Sequence, residues 1–293
     1  YFIQNFTENI LEKWFLQIYD KYKIKNFIFS GGVAQNIKAT KKISTNKKIN
    51  KLFVPPGPGD ESLMIGVVYC LLNKFGVDKK KISTLINPYK GCSFKKESLN
   101  FLKNKNKIIL KKVKPKDVAL ILNSGEVVAR FSLNNFEFGP RALGNRSIIA
   151  DPRSIDTIHY INKSVKVRDF WMPFAPSVLE EDFEKYFISN KKNNFNFMTG
   201  SLDTTNFGKK LLGGGIHPFD KTARPQKVKK KINKEYYELI KEFKKISGVG
   251  ALLNTSFNIH GEPIVFSPQD AFKSFMSSGL KYLYIGDYLI KKI

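Results

Sequence analysis

The stretch from Glu137 to Arg153 reads E-F-G-P-R-A-L-G-N-R-S-I-I-A-D-P-R and sets Arg141, Arg146 and Arg153 among two glycines and two prolines. Proline fixes its own φ and removes a donor, while glycine permits backbone angles and close approaches that other residues resist. The combination predicts a stiff loop on which guanidinium groups converge. A guanidinium stays charged at any working pH and presents a planar fork matched to phosphate oxygens. A phosphorylated substrate is the chemistry this loop suits. For any single arginine the alternative is a surface pair with a carboxylate such as the neighbouring Asp151.

Other stretches carry compatible chemistry. Lys166 and Arg168 flank Val167, so in a strand both point to one face. Two cations so placed repel each other unless an anion lies between them or the edge is solvated. The run Asn254-Thr255-Ser256-Phe257-Asn258 follows an apolar strand and supplies amides and hydroxyls that both donate and accept. No histidine–carboxylate pair stands in an adjacent motif, which argues against a nucleophilic hydrolase. Near the start, a short apolar strand runs into Gly31-Gly32 and then a helical stretch. Free N–H groups at such a helix start form a natural anion site, although a bare Gly-Gly is more often just a tight turn.

The run F-G-P-R-A-L-G-N-R-S-I-I-A-D-P-R resembles the signature of the O-carbamoyltransferase family of the nodulation and antibiotic-tailoring type. P-F-A-P-S-V-L at 173–179, L-N-T-S-F-N-I-H-G-E-P-I-V at 253–265 and S-G-G-V-A-Q-N at 30–36 agree with it, in the family's order, across almost the whole chain. The resemblance implies an α/β protein in two parts. Residues 1–86 would be the second lobe of a ribonuclease-H/actin-like ATPase-fold domain, truncated at its N-terminus, and residues 87–293 a YrdC-like α/β domain. In similar enzymes the YrdC-like part uses carbamoyl phosphate and ATP to make carbamoyl-adenylate and pyrophosphate. The ATPase-like part then transfers the carbamoyl group to a hydroxyl, usually of a sugar.

By the same resemblance, Arg141, Arg146, Lys166, Arg168, Arg224, Asn254, Ser256 and His260 would hold ATP and carbamoyl phosphate. Gly31, Gly32 and Asn36 would meet the carbamoyl-adenylate in the ATPase-like lobe. Asp60, by itself a plausible helix N-cap, would complete a divalent metal site for Fe2+, Mg2+ or Mn2+. The partner ligands in the family are histidines in an H-x-x-x-H pattern, and His159, His217 and His260 are not so spaced. The metal site is therefore expected to be incomplete here, and the general base is expected upstream of Tyr1. Two departures from the family's pattern stand out. Lys221 replaces the usual glycine before Thr222-Ala223-Arg224-Pro225-Gln226, and Met172 sits where many relatives carry an arginine.

The 293 residues carry a formal charge of +25. A polyanion partner is one reading of that excess. However, the lysine runs at 79–81, 111–112 and 229–231 lack interleaved aromatics for base stacking. They read as solvated surface that also attracts anionic substrates, so a nucleic-acid partner is not expected. Synthesis of threonylcarbamoyl-adenosine on tRNA, which uses the same two folds, and a non-catalytic basic nucleic-acid-binding module are the alternatives. The partners expected are small molecules: carbamoyl phosphate, ATP and a hydroxyl acceptor. Cys70 and Cys92 have no disulfide or metal spacing, no apolar run reaches membrane-span length, and nothing at Tyr1 resembles a signal peptide. A cytoplasmic protein, and a fragment or processed chain, is the expectation.

The positioning elements follow from pattern. Phe6, Ile10, Trp14 and Ile18, with Ile3, Leu11 and Phe15 alongside, predict a helix facing a core. Strands are predicted at 26–30, 51–54, 108–110, 127–131, 250–253 and 282–285. Helices are predicted from Val33 to Lys42, Asp60 to Leu72, Lys96 to Lys103, Pro115 to Leu122, Asn233 to Ile246 and Ser267 to Met276. The polar stretch Ile188 to Asn206 reads as an excursion or lid. The domain boundary falls near the mixed polar stretch 73–93.

Overall fold

The structure, a computed structural model, describes residues 1–78, 80, 87–95, 97, 99–103, 105–166, 172–189 and 195–293. Arg168, the boundary expected at Ile86 and part of the 188–206 excursion lie outside the described residues. Along the chain come α1 (Phe2–Tyr22), β1 (Asn26–Ile28), α2 (Ile37–Thr45), β2 (Lys51–Phe53), α3 (Leu63–Lys74), β3 (Ile108–Lys112), α4 (Pro115–Asn123), β4 (Val128–Phe131) and β5 (Arg146–Ala150). Then follow α5 (Asp156–Ile161), β6 (Ala175–Leu179), α6 (Phe183–Tyr186), β7 (Phe187–Ile188), β8 (Leu202–Thr204), α7 (Asn206–Leu211), β9 (Thr222–Ala223) and β10 (Gln226–Val228). The last are α8 (Lys234–Ser247), β11 (Ala251–Ser256), α9 (Pro268–Ser277), β12 (Tyr282–Ile285) and β13 (Tyr288–Lys292).

The chain is α/β, as expected, and built on a large mixed sheet. Among the described residues the sheet runs β10-β6-β11-β5-β4-β12-β13-β3, with β10–β6 and β4–β12 parallel and the remaining pairs antiparallel. Strand residues alternate between two cores, as the two-residue period of a strand demands. Val128, Ile149, Leu252 and Tyr284 join Leu122 of α4 and Leu239 and Phe243 of α8 on one face. Ala129, Ile148, Leu253 and Leu283 join Ile161 of α5 and Ala271 and Phe275 of α9 on the other. The middle of the sheet is thus covered on both sides, which is why its strands read as near-continuous apolar runs.

Local chemistry sets the helix starts. Asn233 accepts from Tyr236 N–H at the start of α8, and Ser267 and Asp270 form a capping box before α9 with Pro268 in the first turn. Gly125, at φ 89°, follows α4 in the left-handed region that favours glycine.

The N-terminal residues build a smaller unit in which β1 and β2 pair in parallel and α1 packs on α2. Three expectations need correcting here. The face of α1 that meets the core is Leu11 and Phe15, with the Phe15 ring edge-on to Phe27 and Phe29, whereas Phe6, Ile10 and Trp14 are more than half exposed. Apolar residues run most of the way round this helix, so periodicity alone could not choose the stripe. The helix expected at Val33–Lys42 is a 3-10 turn, Gly32–Gln35, followed by α2, because Asn36 breaks the run to cap the second segment. Asp60 does not cap a helix: it opens a 3-10 turn whose cap position is Gly59, and α3 starts only at Leu63.

Candidate functional site

The arginine loop leaves the end of β4, turns, and returns as β5, and its backbone is held from several sides. The Glu137 carboxylate, fully buried, accepts from the N–H groups of Leu143 (2.8 Å), Asn145 (2.7 Å) and Arg146 (3.3 Å). Leu143 O accepts from Tyr89 Oη at 2.6 Å and Gln226 Nε2 at 2.8 Å. Gly144 O accepts from the buried Arg130 guanidinium. Gly144 itself, at φ 112°, lies so close to the Tyr236 ring that a Cβ would fall 2.3 Å from Tyr236 Cδ1. Only glycine fits both that angle and that approach.

The three arginines of the loop meet different fates. Arg146 turns inward: its Nε lies 3.2 Å from Glu137 Oε2, Nη2 donates to Glu137 O, and the guanidinium stacks over Phe136 at 4.3 Å. Arg153 pairs with Asp151, Nη2 to Oδ2 at 2.5 Å, and donates to Asn123. Arg141 is half-buried and sits one residue before Ala142, whose carbonyl accepts from Asn254 Nδ2 at 3.1 Å. That bond joins two motifs more than a hundred residues apart.

The Asn254–Asn258 run forms the second wall. Asn254 is buried in β11; its Nδ2 also donates to Ser177 Oγ of β6 at 3.0 Å. Its Oδ1 is buried with no hydrogen-bond partner among the described residues. Buried polar atoms are satisfied as a rule, so this acceptor, two residues from Ser256 on the same face of β11, fits a ligand's donor. Lys166 is almost wholly buried, and its Nζ donates to Ser256 Oγ at 3.0 Å and Asn258 Oδ1 at 2.6 Å. It ends a π-helical turn, Asn162–Lys166, and does not lie in a strand. His260 braces that turn: its Nδ1–H donates to Lys166 O at 2.8 Å and its backbone N–H to Val165 O, with the imidazole tautomer assigned from those partners.

Arg224 lies between β9 and β10, two residues before Gln226, which bonds Leu143 O and Ser177 Oγ. The fold therefore gathers Arg141, Lys166, Arg224, Asn254 and Ser256 around one end of β11 and β5, while His260 supports from outside. The turn carrying Arg224 starts just after Lys221. Lys221 has φ 57°, a left-handed angle that favours glycine, and its carbonyl accepts from Thr204 Oγ1.

The N-terminal site is separate in sequence yet touches the first. Ser30, Gly31, Pro58, Gly59, Asp60, Leu63 and neighbours line a cavity of about 490 Å3. Gly31 has φ 105° and its N–H donates to Pro58 O. At both Gly31 and Gly32 a Cβ would meet nothing within 4 Å, so backbone faces open space there. Asn36 looks the other way, capping α2 through Ala39 N–H and exchanging hydrogen bonds with Gln4 of α1. Across the junction, Gly139 (φ 104°) abuts Pro56 O and Gly57 Cα. The rigid loop of the cavity thus rests directly on the segment leading to Arg141.

For a divalent ion, Asp60 supplies one exposed carboxylate, and among the described residues no group of three His, Cys, Asp or Glu side chains could hold a metal. These residues alone do not fit a metal site of several ligands. Of the lysine runs, Lys229 and Lys230 pair with Glu180 and Glu238. Among the described residues no helix is long and apolar enough to cross a membrane.

Glu137, Arg130, Tyr89, Ser177 and Gln226 brace the candidate site and were not singled out from the sequence. Arg130 carried a usable signal: a charged residue inside the apolar run V-V-A-R-F must find buried partners.

Residues 119–292 match the family model described as Carbamoyltransferase C-terminus, and residues 2–69 match Carbamoyltransferase N-terminus. The chain is 39% identical to Uncharacterized protein MJ1051 of Methanocaldococcus jannaschii, over 100% of this chain and 56% of that protein. It is 36% identical to Nodulation protein NolNO of Sinorhizobium fredii, over 92% of this chain and 40% of that one. The chain spans about half the length of the curated relatives it matches. A crystal structure of full-length HypF in the phosphate- and nucleotide-bound form aligns at a TM-score of 0.43 and 17% identity, over 63% of this chain and 22% of that one.

Proposed function

The chain belongs to the carbamoyltransferase family, and from that premise we propose that its larger part makes carbamoyl-adenylate from carbamoyl phosphate and ATP. Atom balance sets the course. Carbamoyl phosphate and ATP carry four phosphorus atoms, whereas carbamoyl-adenylate and pyrophosphate carry three. Water therefore splits carbamoyl phosphate to carbamate and inorganic phosphate, and a carbamate oxygen attacks the α-phosphorus as pyrophosphate leaves. The protein's task in such a step is to hold two polyanions together and offset charge where it builds up, which is electrostatic preorganisation. Arg141, Lys166, Arg168 and Arg224 supply that charge. Asn254 Oδ1 and Ser256 Oγ hydrogen-bond the carbamoyl amide or the ribose. Arg146 belongs to the loop's frame.

The observation that carries this reading is the meeting of Arg141's neighbour Ala142 with Asn254. It draws the arginine loop and the amide to one place while leaving a buried acceptor, Asn254 Oδ1, without a donor among the described residues. Transfer of the carbamoyl group to a hydroxyl of a sugar or related metabolite would take place at the Gly31–Gly32 cavity, and Asp60 alone equips that site poorly. Incubation with ATP and carbamoyl phosphate should release pyrophosphate only when both are present, with little transfer to added acceptors. A folded sample that released none would end this assignment.

A further inference from the structure

The loop that carries Arg141 closes around an anion of its own. The N–H groups of Leu143, Asn145 and Arg146 all point at the Glu137 carboxylate, together with Arg146 Nε. Backbone donors gathered in this way form a nest that would otherwise bind a free anion. Here the anion is a side chain from six to nine residues earlier in the same loop. Hydrogen bonds to a charged acceptor are about twice as strong as neutral ones, and this carboxylate is shielded from solvent.

We propose that Glu137 is a positioning residue for Arg141. The role rests on the carbamoyl-adenylate reading above. Glu137 fixes the backbone after Arg141 through Leu143 and Asn145, while Tyr89 and Gln226 hold Leu143 O from the opposite side. Before Arg141, Phe138 N–H donates to Pro88 O at 2.6 Å and Gly139 rests on Pro56. The Arg141 backbone is thereby pinned on both flanks. Glu137 also takes up the Arg146 fork, so Arg146 is part of the frame on which Arg141 is carried.

The test is a double-mutant cycle on the whole chain, read as pyrophosphate release at varied carbamoyl phosphate. Glu137→Gln keeps the shape but swaps one acceptor oxygen for an amide that cannot accept. A displaced arginine costs up to about a hundredfold in rate, so Glu137→Gln should lower kcat/KM by about thirtyfold, and KM for carbamoyl phosphate should rise. A purely structural defect would lower the amount of active enzyme and leave KM alone. In an Arg141→Lys background the same substitution should cost less than about threefold, because residues acting as a unit are not additive. The full thirtyfold loss in both backgrounds would overturn the role, as would near-normal turnover of Glu137→Gln. Should that variant fail to fold, Tyr89→Phe removes one hydroxyl from the same loop. It should cost about fivefold with Arg141 present and nothing measurable without it, and equal losses in both would overturn the role. A wild-type chain that releases no pyrophosphate overturns the reaction itself and this role with it, an outcome distinct from an active wild type with additive variants.

Discussion

Substituting Gly139 by alanine tests whether the two sites really share a backbone contact. The residue holds φ 104°, and a Cβ there would lie 2.5 Å from Pro56 O and 3.0 Å from Gly57 Cα. Both obstacles are main chain, so no side chain can rotate aside. Strain at such an angle costs about 1–3 kcal/mol for a residue other than glycine. Overpacking against fixed neighbours costs about 1–3 kcal/mol more. Unfolding entropy near 2.1 cal/mol/K per residue amounts to about 0.6 kcal/mol per kelvin for this length. Gly139→Ala should therefore lower Tm by roughly 3–10 °C. The control is Gly66→Ala in α3, where a Cβ meets nothing within 4 Å. Alanine should gain about 0.5–1 kcal/mol there and raise Tm by roughly 1–2 °C. Calorimetry measures both, and pyrophosphate release on the same samples should fall in Gly139→Ala beyond the loss of folded protein. A Gly139→Ala melting curve overlying the wild type would refute the contact.

Arg141→Lys should cut pyrophosphate release by about 2–4 kcal/mol of transition-state stabilisation, because lysine keeps the charge but loses the paired fork, while Tm barely moves; a fall in Tm with activity tracking folded protein would contradict it. Lys221→Gly should raise stability by up to about 1 kcal/mol, since glycine relieves the left-handed angle at Lys221, and an unchanged urea midpoint would count against that strain. For Asp182, burial raises the carboxyl pKa, but hydrogen bonds from Lys244 and Lys185 outweigh it and hold the group below its ordinary value. A depressed folded-state pKa contributes stability above the unfolded value, lost as pH falls through the folded one. Lys244→Met should therefore move the acid-unfolding midpoint to higher pH, and an unmoved midpoint would show the ion pair to be ineffective.

What the sequence disclosed was local. Asn233, Ser267-Pro268 and Pro115 announce their helices because capping and the first turn are decided within a few residues. Which strands lie side by side was not legible. β4 pairs in parallel with β12, more than 150 residues on, and only packing of whole layers decides that. The short sheet β7-β8-β9 was missed because two- and three-residue strands carry almost no periodic signal. In α1 the pattern was present but too broad, and the choice of Leu11 and Phe15 as the inner stripe was made by Phe27 and Phe29.

The arginine loop shows why residue types locate a site more readily than they assign its members. Arg141, Arg146 and Arg153 are equivalent by type, and all stand in one short run. What separates them is the nearest carboxylate each can reach without bending the loop. Asp151 lies two residues before Arg153 and accepts from its backbone N–H as well as its side chain, so that pair closes locally. Glu137 reaches Arg146 only because the intervening backbone folds back over it, a tertiary event that spacing does not reveal. Arg141 lies at the middle of that fold-back, beyond Pro140 and before the small Ala142. The buried Glu137 carboxylate thus does by geometry what composition could not: among like residues it takes Arg146 into the frame of the loop.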